Sequence, residues 1–217
     1  MLENITNRND NMEKESKILN KILEWSLCVI LAVILAVVIR YYLVAPAKVK
    51  QSSMSPTLVE GQRIILNRME KGYKRGDVIT FESPSIQNKN IDLLNPVAKY
   101  NYNPANWFDN LIYNILELNK TSYIKRIIGI PGDRIQIIDK KVYLNGEELK
   151  EEYLEEKVTT GKFNYNDIIV PEGYVFVMGD NRTGSIDSRI FGCIPIDRIE
   201  GKVKFRYWPL SELGKID

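Results

Sequence analysis

Two stretches far apart in the chain hold residue types that can do chemistry together: the hydroxyl-rich turn Ser53-Met54-Ser55-Pro56-Thr57-Leu58, and Tyr123-Ile124-Lys125-Arg126. A serine hydroxyl is a poor nucleophile near neutral pH and needs a base within hydrogen-bond reach. The chain contains no histidine, which excludes a Ser-His-Asp triad and any zinc site built on histidine. A serine paired with a lysine remains open. Lys125 falls in a run that reads as a strand, where its same-face neighbours at i±2 are Tyr123 and Ile127. Apolar neighbours disfavour the charged amine and lower its pKa from about 10.4, which populates the neutral base. Arg126, whose charge is not readily shed, points to the other face. Read alone, each stretch also has a plainer meaning: a lysine on an exposed strand face, and a Ser-rich turn kept for its backbone shape.

A third stretch changes the balance. Gly179-Asp180-Asn181-Arg182-Thr183-Gly184-Ser185-Ile186-Asp187-Ser188-Arg189 follows Gly76-Asp77-Val78 and the block Tyr123 to Asp133. Four blocks in this order, beginning with Ser53-Met54-x-Pro-Thr-Leu, resemble the type I signal peptidases, membrane-bound serine proteases that remove signal peptides from exported proteins. The resemblance runs from the apolar segment to near the end of the chain. It implies Ser53 as nucleophile, Lys125 as general base, Ser185 as the hydroxyl that orients the lysine, and Asp187 with Arg189 as a bracing ion pair. The backbone N–H of Ser53 would donate to the oxyanion. Family members usually carry Ser or Gly two residues before the nucleophile, whereas this chain has Gln51, with Ser52 between. Either a Gln51 amide or a Ser52 group would then supply the second donor. Met54 reads equally as core filler or, by the resemblance, as a wall of the substrate pocket. Ile64, Ile65 and Val78 are further lining candidates, though each also reads as core.

The elements that must position these residues begin with an anchor. Ser26 to Ile39 carries no charge and makes about 21 Å of helix, short of a hydrocarbon core of about 30 Å. Extension back to Ile22 and forward to Val44 supplies the missing length, with Trp25 and Tyr41-Tyr42 near the two interfaces. Arg40 would snorkel to the headgroups. A cleaved signal peptide lacks a clean small-residue cleavage site here, and a helix packed on the core of a soluble domain of this size would show a polar face, which Leu31 to Val38 lacks. The organisation expected is a polar tail over 1–21, disordered and entering a helix near Lys14, a transmembrane anchor over 22–45, and a catalytic domain over 46–217. Arg8, Lys14, Lys17 and Lys21 before the span against Arg40, Lys48 and Lys50 after it favour a cytoplasmic N-terminus only slightly. An extracytoplasmic catalytic domain is what the resemblance implies.

Beyond the anchor the pattern is one of short strands: Arg63–Asn67, Val78–Phe81, Tyr123–Ile130, Arg134–Ile138, Lys141–Leu144, Tyr174–Met178 and Lys202–Tyr207, bounded by Gly, Pro, Asn or Asp. Asn145-Gly146 signals a tight hairpin. The fold expected is mainly β, an antiparallel β-sheet catalytic domain with a smaller β-rich subdomain behind a single N-terminal transmembrane helix. Residues 82–122 read as an insertion, with Trp107, Phe108, Leu111, Ile112, Ile115 and Leu118 at helical spacing. That helix either covers part of the core or lies on the bilayer. The run Glu147 to Lys157 reads as a solvated surface.

A formal charge of +2 gives no electrostatic footprint for nucleic acid. Cys28 in the apolar run and Cys193 cannot plausibly meet, so no disulfide framework is expected. The resemblance implies preproteins bearing signal peptides as substrates, cut after Ala-x-Ala-like sites, a lipid bilayer as the setting, a monomer, and neither metal nor cofactor. Two other classes fit parts of the pattern. An inactive membrane-anchored module that binds exported chains shares the scaffold, but the intact Ser53, Lys125 and Ser185 set speaks against it. A self-cleaving repressor would need a DNA-binding domain where the apolar span stands.

Overall fold

One long helix, α1 (Leu2–Tyr42), forms the first of two structural units, and the β-rich remainder from Leu43 onward forms the second. The computed structural model describes residues 2–86, 95–101, 106–109, 113, 120–155, 159 and 164–216, with side chains from Lys14 onward. Helix α1 does not begin near Lys14, as the Asn-rich start led us to expect, but at Leu2. Asn and Asp cost only a few tenths of a kcal/mol each in a helix, and extending an existing helix carries no nucleation cost. Its segment Lys14–Tyr42 is long and apolar enough to cross a membrane. The helix ends at Tyr42, earlier than the expected limit of 45. Val44 and Ala45 belong instead to strand β1 (Val44–Lys48), where Ala45 pairs with Leu66 and is buried.

The second unit is built on an eight-stranded sheet, entirely antiparallel between its named strands. Its members are β1, β2 (Arg63–Asn67), β3 (Val78–Glu82), β4 (Ser122–Gly129), β9 (Tyr174–Met178), β10 (Ile194–Pro195), β11 (Ile199–Trp208) and β12 (Gly214–Lys215). The order is β1-β2-β11-β3-β4-β9-β10, with β12 paired to β11. Pro46 is tolerated because β1 is an edge strand that need not donate on its free side. A smaller four-stranded antiparallel sheet, β7-β6-β5-β8, comprises β5 (Arg134–Ile138), β6 (Lys141–Leu144), β7 (Glu147–Glu148) and β8 (Asp167–Ile169). Asn145 and Gly146, both at positive φ (53° and 90°), turn β6 into β7, the backbone that a type I′ hairpin requires.

Alternation along β9 shows how the sheets share a core. Val175 and Val177 pack on one face with Ile79, Phe81 and Ile127, while Phe176 and Met178 face the small sheet through Ile135, Ile137, Val142 and Ile168. A third cluster of Ala45, Val49, Met54, Leu58, Ile64, Leu66, Val78 and Val203 lies under the turn that carries Ser53. Of the helix expected over Trp107 to Leu118, residues 107–109 and 113 are helical, and the rest lies outside the described residues. Trp107 and Phe108 are exposed. Cys28 and Cys193 are both free.

Candidate active site

The serine turn is fastened from below and from the side. Met54 and Leu58, 1% and 0% exposed, are sunk in the core and linked by the Leu58 N to Met54 O hydrogen bond at 2.8 Å. Ser52 accepts from Ser55 N at 3.0 Å, which closes the turn around Ser53. Across the chain, Asn181 N donates to Ser53 O at 3.1 Å, and Thr57 Oγ1 donates to Asp180 Oδ2 at 2.6 Å. The Ser53 backbone therefore hangs from the 179–189 loop.

Strand β4 delivers the lysine. Its register places Lys125 opposite Ile79 and Arg126 opposite Val78, so Lys125 is hemmed in by a fully buried isoleucine and its own-strand neighbours Tyr123 and Ile127. Lys125 is 2% exposed. Its Nζ lies 2.6 Å from Ser53 Oγ, donates to Ile124 O at 3.1 Å, and sits 5.3 Å from the Tyr123 ring centre. Burial pulls its pKa from 10.5 down to about 8; Asp187 opposes that shift and Arg189 adds to it. A neutral amine at this distance can accept the serine proton, and the resulting alkoxide character is what a nucleophile needs.

The loop opposite is held by two buried bidentate ion pairs. Arg189 Nε and Nη2 donate to Asp187 Oδ1 and Oδ2 at 2.7 and 2.8 Å. Asp187 Oδ2 also accepts from Gly179 N at 2.9 Å, and Arg189 Nη1 donates to Arg182 O at 2.8 Å. Arg126 Nε and Nη2 donate to Asp180 at 3.0 and 2.9 Å, and Arg126 Nη1 reaches Gly76 O at 2.7 Å. Asp180 thus joins the strand that carries Lys125 to the turn that carries Ser53, through Arg126 on one side and Thr57 on the other.

Ser185 Oγ is buried and makes no hydrogen bond among the described residues. It presses on Gly179, where a Cβ would fall 2.2 Å from Ser185 Oγ and 2.4 Å from Ser53 O. Only glycine lets the Ser53 carbonyl and the Ser185 hydroxyl close on the same point. Gln51 is exposed and lines, with Ser53, a cleft of about 380 Å³. Ala45, Ala47, Val49, Met54, Tyr123 and Ile124 share its wall. Met54 is core and wall at once. Ile64 and Val78 are core rather than lining, and Ile65 does not reach the cleft either.

The run Glu147 to Lys157, expected to be a solvated surface, is corrected by the structure. Glu151, in that run, forms a bidentate ion pair with Arg182, which is 1% exposed at its side chain, and Arg182 Nη1 also donates to Thr159 Oγ1 at 3.0 Å. The Tyr153 ring lies 4.1 Å from the Arg126 guanidinium. The available signal was the interruption of the charged run by Tyr153 and Leu154, since Leu154 is buried.

The model of the family described as signal peptidase, peptidase S26, matches residues 22–208. Signal peptidase IB of Staphylococcus aureus (strain COL) is 32% identical over an alignment of 212 positions that covers 88% of this chain and 92% of that protein. Signal peptidase I T of Bacillus subtilis (strain 168) is 35% identical over an alignment of 220 positions that covers 95% of this chain and 96% of that protein. A crystal structure of a signal peptidase I from Enterococcus faecalis V583 is 28% identical and covers 60% of this chain and 95% of its own, with a TM-score of 0.38.

Proposed function

The chain belongs to the S26 signal peptidase family, serine peptidases that cleave signal peptides, and on that premise we propose that Ser53 is its nucleophile and Lys125 its general base. The observation that carries the proposal is the 2.6 Å contact between Lys125 Nζ and Ser53 Oγ, made by an amine that burial leaves partly neutral.

In this reading Lys125 takes the hydroxyl proton as Ser53 Oγ attacks the carbonyl carbon of the scissile bond. The negative charge that develops on the carbonyl oxygen accepts from the Ser53 N–H and from Gln51, a preorganised contribution of about 3 kcal/mol per donor. Collapse of the tetrahedral intermediate breaks the C–N bond, and the Lys125 ammonium gives its proton to the departing amine. Water then attacks the Ser53 ester, Lys125 takes its proton, and Ser53 leaves with that proton restored. In the same reading Ser185, whose hydroxyl bonds nothing among the described residues at rest, turns it to the Lys125 amine during the reaction, and the Asp187–Arg189 pair braces the 179–189 loop.

The cleft receives the preprotein segment upstream of the cleaved bond in extended form, between Ala45–Gln51 and the start of β4. Its small side chains, with Met54 as floor, set the preference for Ala-x-Ala-like sites. The unit from Leu43 onward acts outside the cytoplasm as a monomer, with the N-terminus of the helix in the cytoplasm and the span in the bilayer. The test is incubation of the full chain in detergent or proteoliposomes with a preprotein carrying an Ala-x-Ala site, with the products weighed by mass spectrometry. Cleavage after the second alanine, lost in Ser53→Ala and in Lys125→Ala, is the expected result. Cleavage that persists in either variant overturns the assignment.

A further inference from the structure

The cleft beside Ser53 carries Lys48, Lys50, Arg68, Lys120 and Lys125 on its wall and no aspartate or glutamate. Lys120 is balanced by Glu200 at 2.7 Å, and Lys125 is the proposed base. Lys48 and Lys50 are exposed and have no ion pair among the described residues. Lys48 stands directly across from Arg63 in the β1–β2 register, and Arg63 is exposed as well. Like charges placed opposite each other destabilise a strand pair, so the packing of the domain gives no reason for this arrangement. A cleft lined by one sign of charge concentrates ligands of the other sign. Lys50 and Lys48 precede Ser53 by three and five residues. The chain leaves β1 at Lys48 for the turn that carries Ser53, so about 3.3 Å per residue is an upper limit on the separation, and both lysines stand beside substrate positions within about five residues of the bond attacked by Ser53.

We infer that Lys48 and Lys50 are specificity-determining residues that favour preproteins with an acidic side chain in the segment seated in the cleft, upstream of the cleaved bond. The inference rests on the substrate placement proposed above. It concerns the residues between and before the two small ones, because the small pockets admit no carboxylate. Exposed ion pairs are weak and screened by salt, so the preference is a moderate one and depends on ionic strength.

The test uses the full chain in a neutral detergent and a set of peptides that share one Ala-x-Ala site. Glu, Gln or Lys is placed in turn at the second, fourth, fifth and sixth residues before the cleaved bond. kcat/KM is measured for the wild type and for the double variant Lys48→Gln/Lys50→Gln, and Kd for the same peptides is measured on Ser53→Ala. The expected result is a Glu over Gln advantage of about threefold to tenfold at one or more positions, with Lys disfavoured. The advantage shrinks toward unity in the double variant and in 0.5 M salt. Equal kcat/KM and equal Kd for Glu and Gln peptides overturn the inference, as does an advantage that the double variant keeps. So does a double variant that loses binding to anionic lipid vesicles while keeping the Glu advantage, since the cations would then serve the bilayer. Failure of the wild type to cut any peptide refutes the peptidase assignment separately, because the Kd comparison still reads the charge preference.

Discussion

Replacing Lys125 by methionine removes a buried amine while keeping most of its volume, and the consequence for stability follows from the sign of its pKa shift. The native value, about 8 against 10.5 for an exposed lysine, means that the folded protein binds the proton less tightly than the unfolded chain. Below about pH 8 both states are protonated, and the folded state carries a constant cost. At 1.36 kcal/mol per pKa unit that cost is about 3 kcal/mol. Between about 8 and 10.5 the folded state releases the proton and the unfolded state keeps it, so wild-type stability rises with pH across that window. Lys125→Met removes this dependence. It also removes the contacts to Ser53 Oγ and Ile124 O, each worth about 1 kcal/mol. The variant is therefore expected to be more stable than the wild type by about 1 kcal/mol at pH 6 to 7 and less stable above pH 10. Thermal unfolding of both proteins in the same detergent, followed by tryptophan fluorescence from pH 6 to 10.5, reads the difference directly. A stability gap that does not change with pH would refute the claim that Lys125 is neutralised by burial.

Other substitutions test the parts that hold the pair together. Gly179→Ala puts a methyl group where Ser53 O and Ser185 Oγ already meet, and kcat/KM is expected to fall at least about 100-fold, in keeping with the cost of misplacing a reacting group. Asp180→Ala removes the carboxylate that faces the buried Arg126 guanidinium and accepts from Thr57, so it is expected to destabilise the protein by about 3 kcal/mol, read as a lower unfolding temperature. Ser185→Ala removes a hydroxyl that makes no hydrogen bond among the described residues. Its unfolding temperature should stay within a few degrees of the wild type while kcat falls, a split that a purely structural role would not give.

Much of this site was legible in the sequence, and the reasons differ from residue to residue. Ser53 and Lys125 stood out as candidates because the absence of histidine leaves a serine few possible bases and because the blocks at Ser53, Gly76, Tyr123 and Gly179 resemble those of the type I signal peptidases. Strands β2, β5, β6 and β9 match the expected limits because branched and aromatic runs bounded by turn residues suit a pleated, half-buried surface. Strand β1 was absorbed into the anchor, since Val44 and Ala45 continue an apolar run and only pairing with Leu66 and Asn67 shows them to be sheet. Strands β7, β8, β10 and β12 are two or three residues long, too short to show a period. The clamp at Asp180 was hidden for another reason. Thr57 and Arg126 lie 123 and 54 residues away from it, and nothing local in Gly179-Asp180-Asn181 distinguishes a carboxylate that ties two elements together from one that shapes a turn.

The pH dependence of kcat/KM on an Ala-x-Ala peptide, measured for the wild type beside Ser53→Ala, tests the Ser53–Lys125 pair most directly. With Lys125 as the base, the rate climbs about tenfold per pH unit on the acid side and levels off near pH 8, and Ser53→Ala shows no cleavage at any pH. A profile flat from pH 6 to 9, or cleavage surviving without the Ser53 hydroxyl, would contradict the mechanism.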